Sequence, residues 1–259
     1  MVNTIKMKNI FMACVLFVIT PTVFAGLTTA SDLNTDKNAE QESPFKDWRT
    51  RGYKSEEDMR QFYEAVVIIK SYDSQKIGKS KYIEELKTCS DNQNYYCSGV
   101  LGEYYYSNKE YFLAYPLLSK YSGSIGSEDT ELYIGNMFAA GEGVLQNDNK
   151  AIFHYTKCAK LGEKICAYNI AITYDNNAIR MSDEYSINSS MWSDKIKAYA
   201  WFKVAKALGQ NKHTYVNGSK VDLSIKIEDM RKHLSGKSLI SQADTLASKL
   251  CSTIPKCIQ

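Results

Sequence analysis

Apolar residues in this chain recur at helical rather than strand spacing, in short blocks divided by polar turns. Leu132, Ile134 and Phe138 mark one block, a break falls at Gly141-Glu142-Gly143, and Ala151, Ile152, Tyr155 and Ala159 mark a second. The pattern predicts a helix–turn–helix unit over Leu132–Gly162. Neither helix alone covers its apolar stripe, so such a unit must stack on others of its kind. Copies are visible on both sides. Lys197-Ala198, Phe202, Val204-Ala205 and Gly209 repeat the second-helix pattern, with twelve steps from Lys to Gly as in Lys150 to Gly162. Val100-Leu101-Gly102-Glu103-Tyr104-Tyr105 and Ile170-Ala171-Ile172-Thr173-Tyr174 repeat the first-helix pattern, 33 residues upstream and 36 downstream of Gly135.

At the N-terminal end of the repeats, Ser55-Glu56-Glu57-Asp58 supplies an N-cap and an acidic first turn for a helix through Phe62, Val66 and Ile69. Lys81 to Cys89 reads as a degenerate second helix. Cys97 to Tyr106 and Tyr111 to Tyr121 form the next pair, joined through Ser107-Asn108-Lys109. Tyr104, Tyr105 and Tyr106 cannot all face one core. They read either as a binding face or as packing between neighbouring helices. After Ile165–Asn176 a polar link is expected over Asn176–Asp194, functional or disordered. Beyond Gly209 the repeat pattern stops. Leu223, Ile227, Met230 and Leu234, then Leu239, Ala243, Leu246 and Leu250, predict two closing helices.

The run Ile134-Gly135, Phe138, Gly141-x-Gly143-Val144, Lys150-Ala151, Tyr155-x-Lys157 and Gly162 resembles the Sel1-like repeat, a relative of the tetratricopeptide repeat. Gly135 would let two helices approach closely, while Gly141 and Gly143 would supply positive φ at the turn. The resemblance implies an all-α fold: an α/α solenoid of helix–turn–helix repeats over 48–210, closed by a terminal helix pair and tail over 211–259.

Ahead of the repeats, Lys6 and Lys8 precede an apolar run from Ile10 to Val23, and Val23-Phe24-Ala25 has the small residues that signal peptidase requires. Residues 1–25 are therefore expected to be a cleaved signal peptide and 26–47 a polar leader. The protein is expected in the periplasm, with secretion or lipidation at Cys14 as alternatives. The apolar run is short of the ~20 residues needed to span a bilayer. With 32 basic and 29 acidic residues the chain is nearly neutral, which argues against a nucleic-acid partner.

Six cysteines follow the signal segment: Cys89, Cys97, Cys158, Cys166, Cys251 and Cys257. Cys89 to Cys97 and Cys158 to Cys166 each enclose seven residues at equivalent repeat positions. Eight steps along one helix would separate the Cα atoms by about 12 Å, too far for a bridge that needs under ~7 Å. The chain must then turn inside each pair, at Asp91-Asn92-Gln93-Asn94 and at Gly162. Zinc is the competing use of four or more cysteines, but CxxC spacing is absent and histidine is scarce, so disulfides are expected, Cys251–Cys257 among them. The pattern resembles an exported cysteine-rich branch of the Sel1-like family.

Some members of that branch have been described as β-lactamases, which need SxxK, SDN-like and KTG-like elements. Ser43-Pro44-Phe45-Lys46 is the only SxxK here, KTG is missing, and Ser90-Asp91-Asn92 falls where a turn is needed anyway. His154, His213 and His233 are scattered. No catalytic, metal or cofactor residue is therefore assigned. The resemblance implies instead a scaffold for a protein partner, contacted by variable positions of the first helices: Glu103 and Tyr104, Asn136 and Met137, Asn169 and Thr173. Tyr104, Met137 and Thr173 are expected to line one strip. Immunity recurs among exported bacterial members, in which the protein blocks a toxic effector, often a phospholipase, delivered by a type VI secretion system. A cell-wall or lactam enzyme and a secreted host-interaction factor are the alternatives.

Overall fold

In the computed structural model, residues 52–124, 127–182, 189–214, 218–234 and 236–257 are described. The expected signal peptide and leader over 1–47, with Cys14 and Ser43–Lys46, and Trp48 lie outside them. The described residues form ten helices and one small hairpin, and they divide into two compact units, up to Thr130 and from Glu131.

The first unit holds α1 (Glu56–Asp73), α2 (Lys79–Asp91), α3 (Tyr95–Ser107) and α4 (Tyr111–Tyr121). α1 begins as its sequence predicts: the Ser55 hydroxyl accepts from Asp58 N at 3.0 Å, and three acidic residues occupy the first turn. Its Met59, Phe62, Tyr63 and Val66 pack with Tyr82 and Leu86 of α2 and Tyr96 and Leu101 of α3. α3 and α4 meet closely because two positions carry no side chain. A Cβ at Gly99 would stand 2.4 Å from the Tyr121 ring, and one at Gly102 2.9 Å from Leu118.

α5 (Glu128–Ala140) crosses the division in its first turn. The second unit continues with α6 (Asp148–Lys160), α7 (Lys164–Ser182), α8 (Ser189–Ala207), β1 (Lys212–Thr214), β2 (Lys220–Asp222), α9 (Leu223–His233) and α10 (Lys237–Cys251). Gly141 and Gly143 take φ of +74° and +71° in the α5–α6 turn, the left-handed conformation that a side chain resists. α9 and α10 pack on α8, as the predicted closing pair should.

All three expected bridges form, with Cα separations of 5.8 Å for Cys89–Cys97, 5.9 Å for Cys158–Cys166 and 5.2 Å for Cys251–Cys257. The first two join the end of one helix to the start of the next, across the turns that the spacing demands.

Two expectations are corrected. Much of the stretch read as a link over Asn176–Asp194 is helix, because α7 runs on to Ser182 and α8 starts at Ser189. Ala178 and Met191 are buried and Lys197 sits 5.0 Å above the Tyr174 ring, so packing between α7 and α8 carries the polar sequence along. Residues 183–188 lie outside the described set. The second correction is the antiparallel hairpin, which pairs His213 with Val221 where only closing helices were expected. His213 is buried there, edge-on to Phe202 at 5.8 Å and 3.1 Å from the Tyr168 hydroxyl. Its imidazole is held below the ordinary range, first by burial and then by the charge of Lys226.

Candidate functional site

Within the second unit, α5, α6 and α7 frame an open cleft of about 480 Å³. Its floor begins with a glycine. A Cβ at Gly135 would stand 2.5 Å from the Tyr155 ring, so the missing side chain lets that ring lie flat on α5. The Tyr155 hydroxyl then donates to Asn136 Oδ1 at 2.8 Å, and Asn169 Nδ2 approaches the same oxygen at 3.4 Å. One turn further along α7 the largely buried Thr173 donates its hydroxyl to Asn169 O at 2.8 Å. Ala139, Ile172 and Ile179 supply apolar wall, and Gln146 and Asn176 further amides.

At the rim, Arg180 of α7 bridges to Asp148 in the first turn of α6 and to Asn177 beside it. That pair and the buried Tyr155 are the ionisable groups of the wall. A cleft of amides, hydroxyls and one internally neutralised ion pair offers hydrogen-bond donors and acceptors. Among its lining residues no nucleophile is paired with a base and no two carboxylates face each other.

Of the six residues expected to contact a partner, Asn136, Asn169 and Thr173 come together in this cleft. Met137 does not, and that expectation is corrected: its side chain is fully buried. It follows Ile134 by three residues, so the helical period turns it to the same inward face. Glu103 and Tyr104 belong to the first unit. Tyr104 is half-buried, edge-on to Tyr105 at 5.6 Å and beneath the Lys79 ammonium at 5.2 Å. The Glu103 carboxyl is pushed up to about 8, first by burial and then by the negative charge of Asp129. It is therefore mostly protonated, and so uncharged, at neutral pH.

Sequence reasoning missed Arg180, Asp148, Ile172, Ile179 and the outward role of Tyr155. Arg180 lies in the stretch whose polar sequence predicts a link, and Tyr155 falls on the apolar period that predicts a core position. A usable signal did exist for Asp148, which follows the N-cap Asn147 in an exposed first turn.

The other polar clusters are packing devices. His154 stacks on Phe138 at 5.7 Å, and its Nδ1 lies 2.7 Å from the buried Glu131 carboxylate, which Lys157 also approaches at 3.4 Å. Lys226 pairs with Asp175 at 2.8 Å, tying α9 to α7. Ser90 of the SDN triplet is buried with its hydroxyl 2.7 Å from that of Ser98. Among the described residues no three His, Cys, Asp or Glu side chains gather as metal ligands, and no helix is long and apolar enough to cross a membrane.

No family model and no curated protein matches the chain in sequence. Among solved structures it is similar to a protective antigen present in uropathogenic Escherichia coli strains, which displays an SLR, or Sel1-like repeat, fold. The TM-score is 0.52 at 15% identity, over 75% of this chain and 38% of that one, so the chain spans well under half of the antigen's length. At that identity the likeness is one of fold, and with the helix pairs, turn glycines and closing helices described above it establishes that this chain has the Sel1-like repeat fold.

Proposed function

We propose that the protein is an exported protein-binding scaffold and that the cleft between α5, α6 and α7 grips a segment of its partner. The observation that carries this reading is the cleft's chemistry: side-chain amides of Asn136, Asn169 and Asn176 beside Ile172 and Ile179. An amide group can donate and accept at once, as a peptide main chain does, and the isoleucines give an adjoining side chain somewhere apolar to lie. On this reading residues 1–25 direct export to the periplasm, 26–47 form a leader, 48–210 carry the repeats and 211–259 close them.

The scaffold's proposed role is immunity, in which it binds a toxic effector, such as a phospholipase delivered by a type VI secretion system, and holds it inactive. Support comes from the combination of three disulfides, which suit an oxidising compartment, with a recognition cleft that carries no catalytic pair. The test uses N169A and R180A, at positions that face the cleft rather than the core. Affinity capture from periplasm followed by mass spectrometry should recover a defined partner with the natural protein and lose it by about tenfold or more with the double variant. Cells should lose protection against the effector in parallel. Equal capture by both proteins would dismiss the cleft, and capture of a partner without any protective effect would dismiss immunity alone.

A further inference from the structure

The solvent face of α6 interleaves cations with apolar side chains. Lys150, Phe153, Lys157 and Lys160 recur three and four residues apart and therefore share one side of the helix, opposite the buried Ala151, Tyr155 and Ala159. The turn that follows adds Leu161, and the first residues of α7 are Lys164 and Ile165. Phe153 is 58% exposed, Leu161 44% and Ile165 37%, an unusual density of solvated apolar groups for so short a stretch. Lysine stems lie along rings here: the Lys157 ammonium stands 4.9 Å above Phe153, and that of Lys150 5.0 Å above Phe138.

A distant part of the chain reaches the turn beside this face. The Cys251–Cys257 bridge folds the tail back so that it meets the turn after α6. A Cβ at Gly162 would stand 3.3 Å from Pro255 O and 3.6 Å from Lys256 Cδ. Lys256 is exposed, with a φ of +65°. Three lysines, Lys160, Lys164 and Lys256, thus surround the turn at Gly162. Among the described residues Lys150, Lys160, Lys164 and Lys256 form no ion pair. Glu163, half-buried, is the one carboxylate within the turn itself.

We propose that this face docks on an anionic lipid surface, with Lys150, Lys160, Lys164 and Lys256 on headgroup phosphates and Phe153, Leu161 and Ile165 entering the layer beneath. The interleaving favours lipid over an acidic protein. Protein interfaces seat aromatic anchors in a dry centre from which lysine is depleted, whereas here every apolar group has a lysine within about one helical turn. A headgroup layer accommodates both at once, because flexible lysines reach phosphate while their neighbours sink a few ångströms deeper. Such docking is peripheral, and it stands independently of the role proposed for the cleft.

Sedimentation with vesicles tests it, using the protein purified from the cells that export it. Vesicles of equal parts phosphatidylglycerol and phosphatidylcholine should carry the protein down, vesicles of phosphatidylcholine alone should not, and added salt should release it. At about fivefold per lysine, K160Q/K164Q/K256Q should lower partitioning by about 100-fold. F153S should lower it by about tenfold, with a loss that persists at all salt concentrations. All these positions are solvated, and an unchanged circular dichroism spectrum certifies the fold. Equal sedimentation with both vesicle types, sedimentation with neither, or full binding by the triple lysine variant would overturn the proposal. Binding to polyglutamate but not to anionic vesicles would overturn it in favour of an acidic protein partner.

Discussion

Two tyrosines lie over glycines in this protein, Tyr121 over Gly99 and Tyr155 over Gly135, and the same device has opposite consequences in the two units. In the first unit Tyr121 sits among other rings, 5.5 Å from Tyr96 and 6.3 Å from Tyr95, and closes a largely aromatic interior. In the second, Tyr155 reaches past its glycine to Asn136 and becomes the floor of a polar cleft. The repeat motif therefore makes a helix contact, and the residues flanking it decide whether that contact ends in a core or a site.

The staples are where the two units should behave alike. Both the Cys89–Cys97 and the Cys158–Cys166 ring close over a sequence separation of 8 with nearly equal Cα separations. Replacing either pair by alanine should cost about 2.5 kcal/mol in urea unfolding, since the loop entropy removed is the same. A large inequality would show that the tail packed at Gly162 contributes to the second ring.

The glycines should separate the units. G99A drives a methyl group into a ring held by two other tyrosines and should cost about 2–3 kcal/mol, whereas Tyr155 can yield toward the open cleft, so G135A should cost about 1 kcal/mol. Equal losses in urea would break the comparison.

Acidity sharpens it further. Glu103 keeps its proton up to about 8 in the folded chain, against an ordinary value of 4.5. The folded state therefore binds more protons than the unfolded one between those values, and the contribution is complete at low pH and lost as pH rises through about 8. E103Q should leave stability nearly unchanged at pH 5 and raise it, relative to the natural protein, by about 1–2 kcal/mol at pH 9, less than the full shift implies because the residue keeps some solvent contact. A pH-independent difference between the two proteins would refute this account.

The smallest expected effect belongs to the cleft floor. Y155F removes one hydrogen bond to Asn136 while keeping the ring on Gly135, and should cost about 1 kcal/mol of stability. Partner capture should fall more than stability does, because Asn136 loses the bond that orients it. If capture is untouched, the cleft's amides are not the recognition surface.

What the sequence determined by itself is what local physics fixes. Helical periodicity located the repeats, Ser55 placed the start of α1, Gly141 and Gly143 marked a turn only glycine makes without strain, and equal cysteine spacing required a turn inside each ring. Each of these signals is complete within about a dozen residues. The tertiary structure decided the rest. Met137 is buried because its face of α5 points inward, and Asn176–Asn177 is helical because α7 and α8 pack beyond the repeat length. Across the rim of the cleft Asp148 and Arg180, 32 residues apart, meet only because α6 and α7 are seated side by side. Lys256 joins Lys160 and Lys164 around Gly162 because a disulfide returns the tail to that turn. A contact between distant residues depends on how whole helices are seated, and no local pattern encodes that.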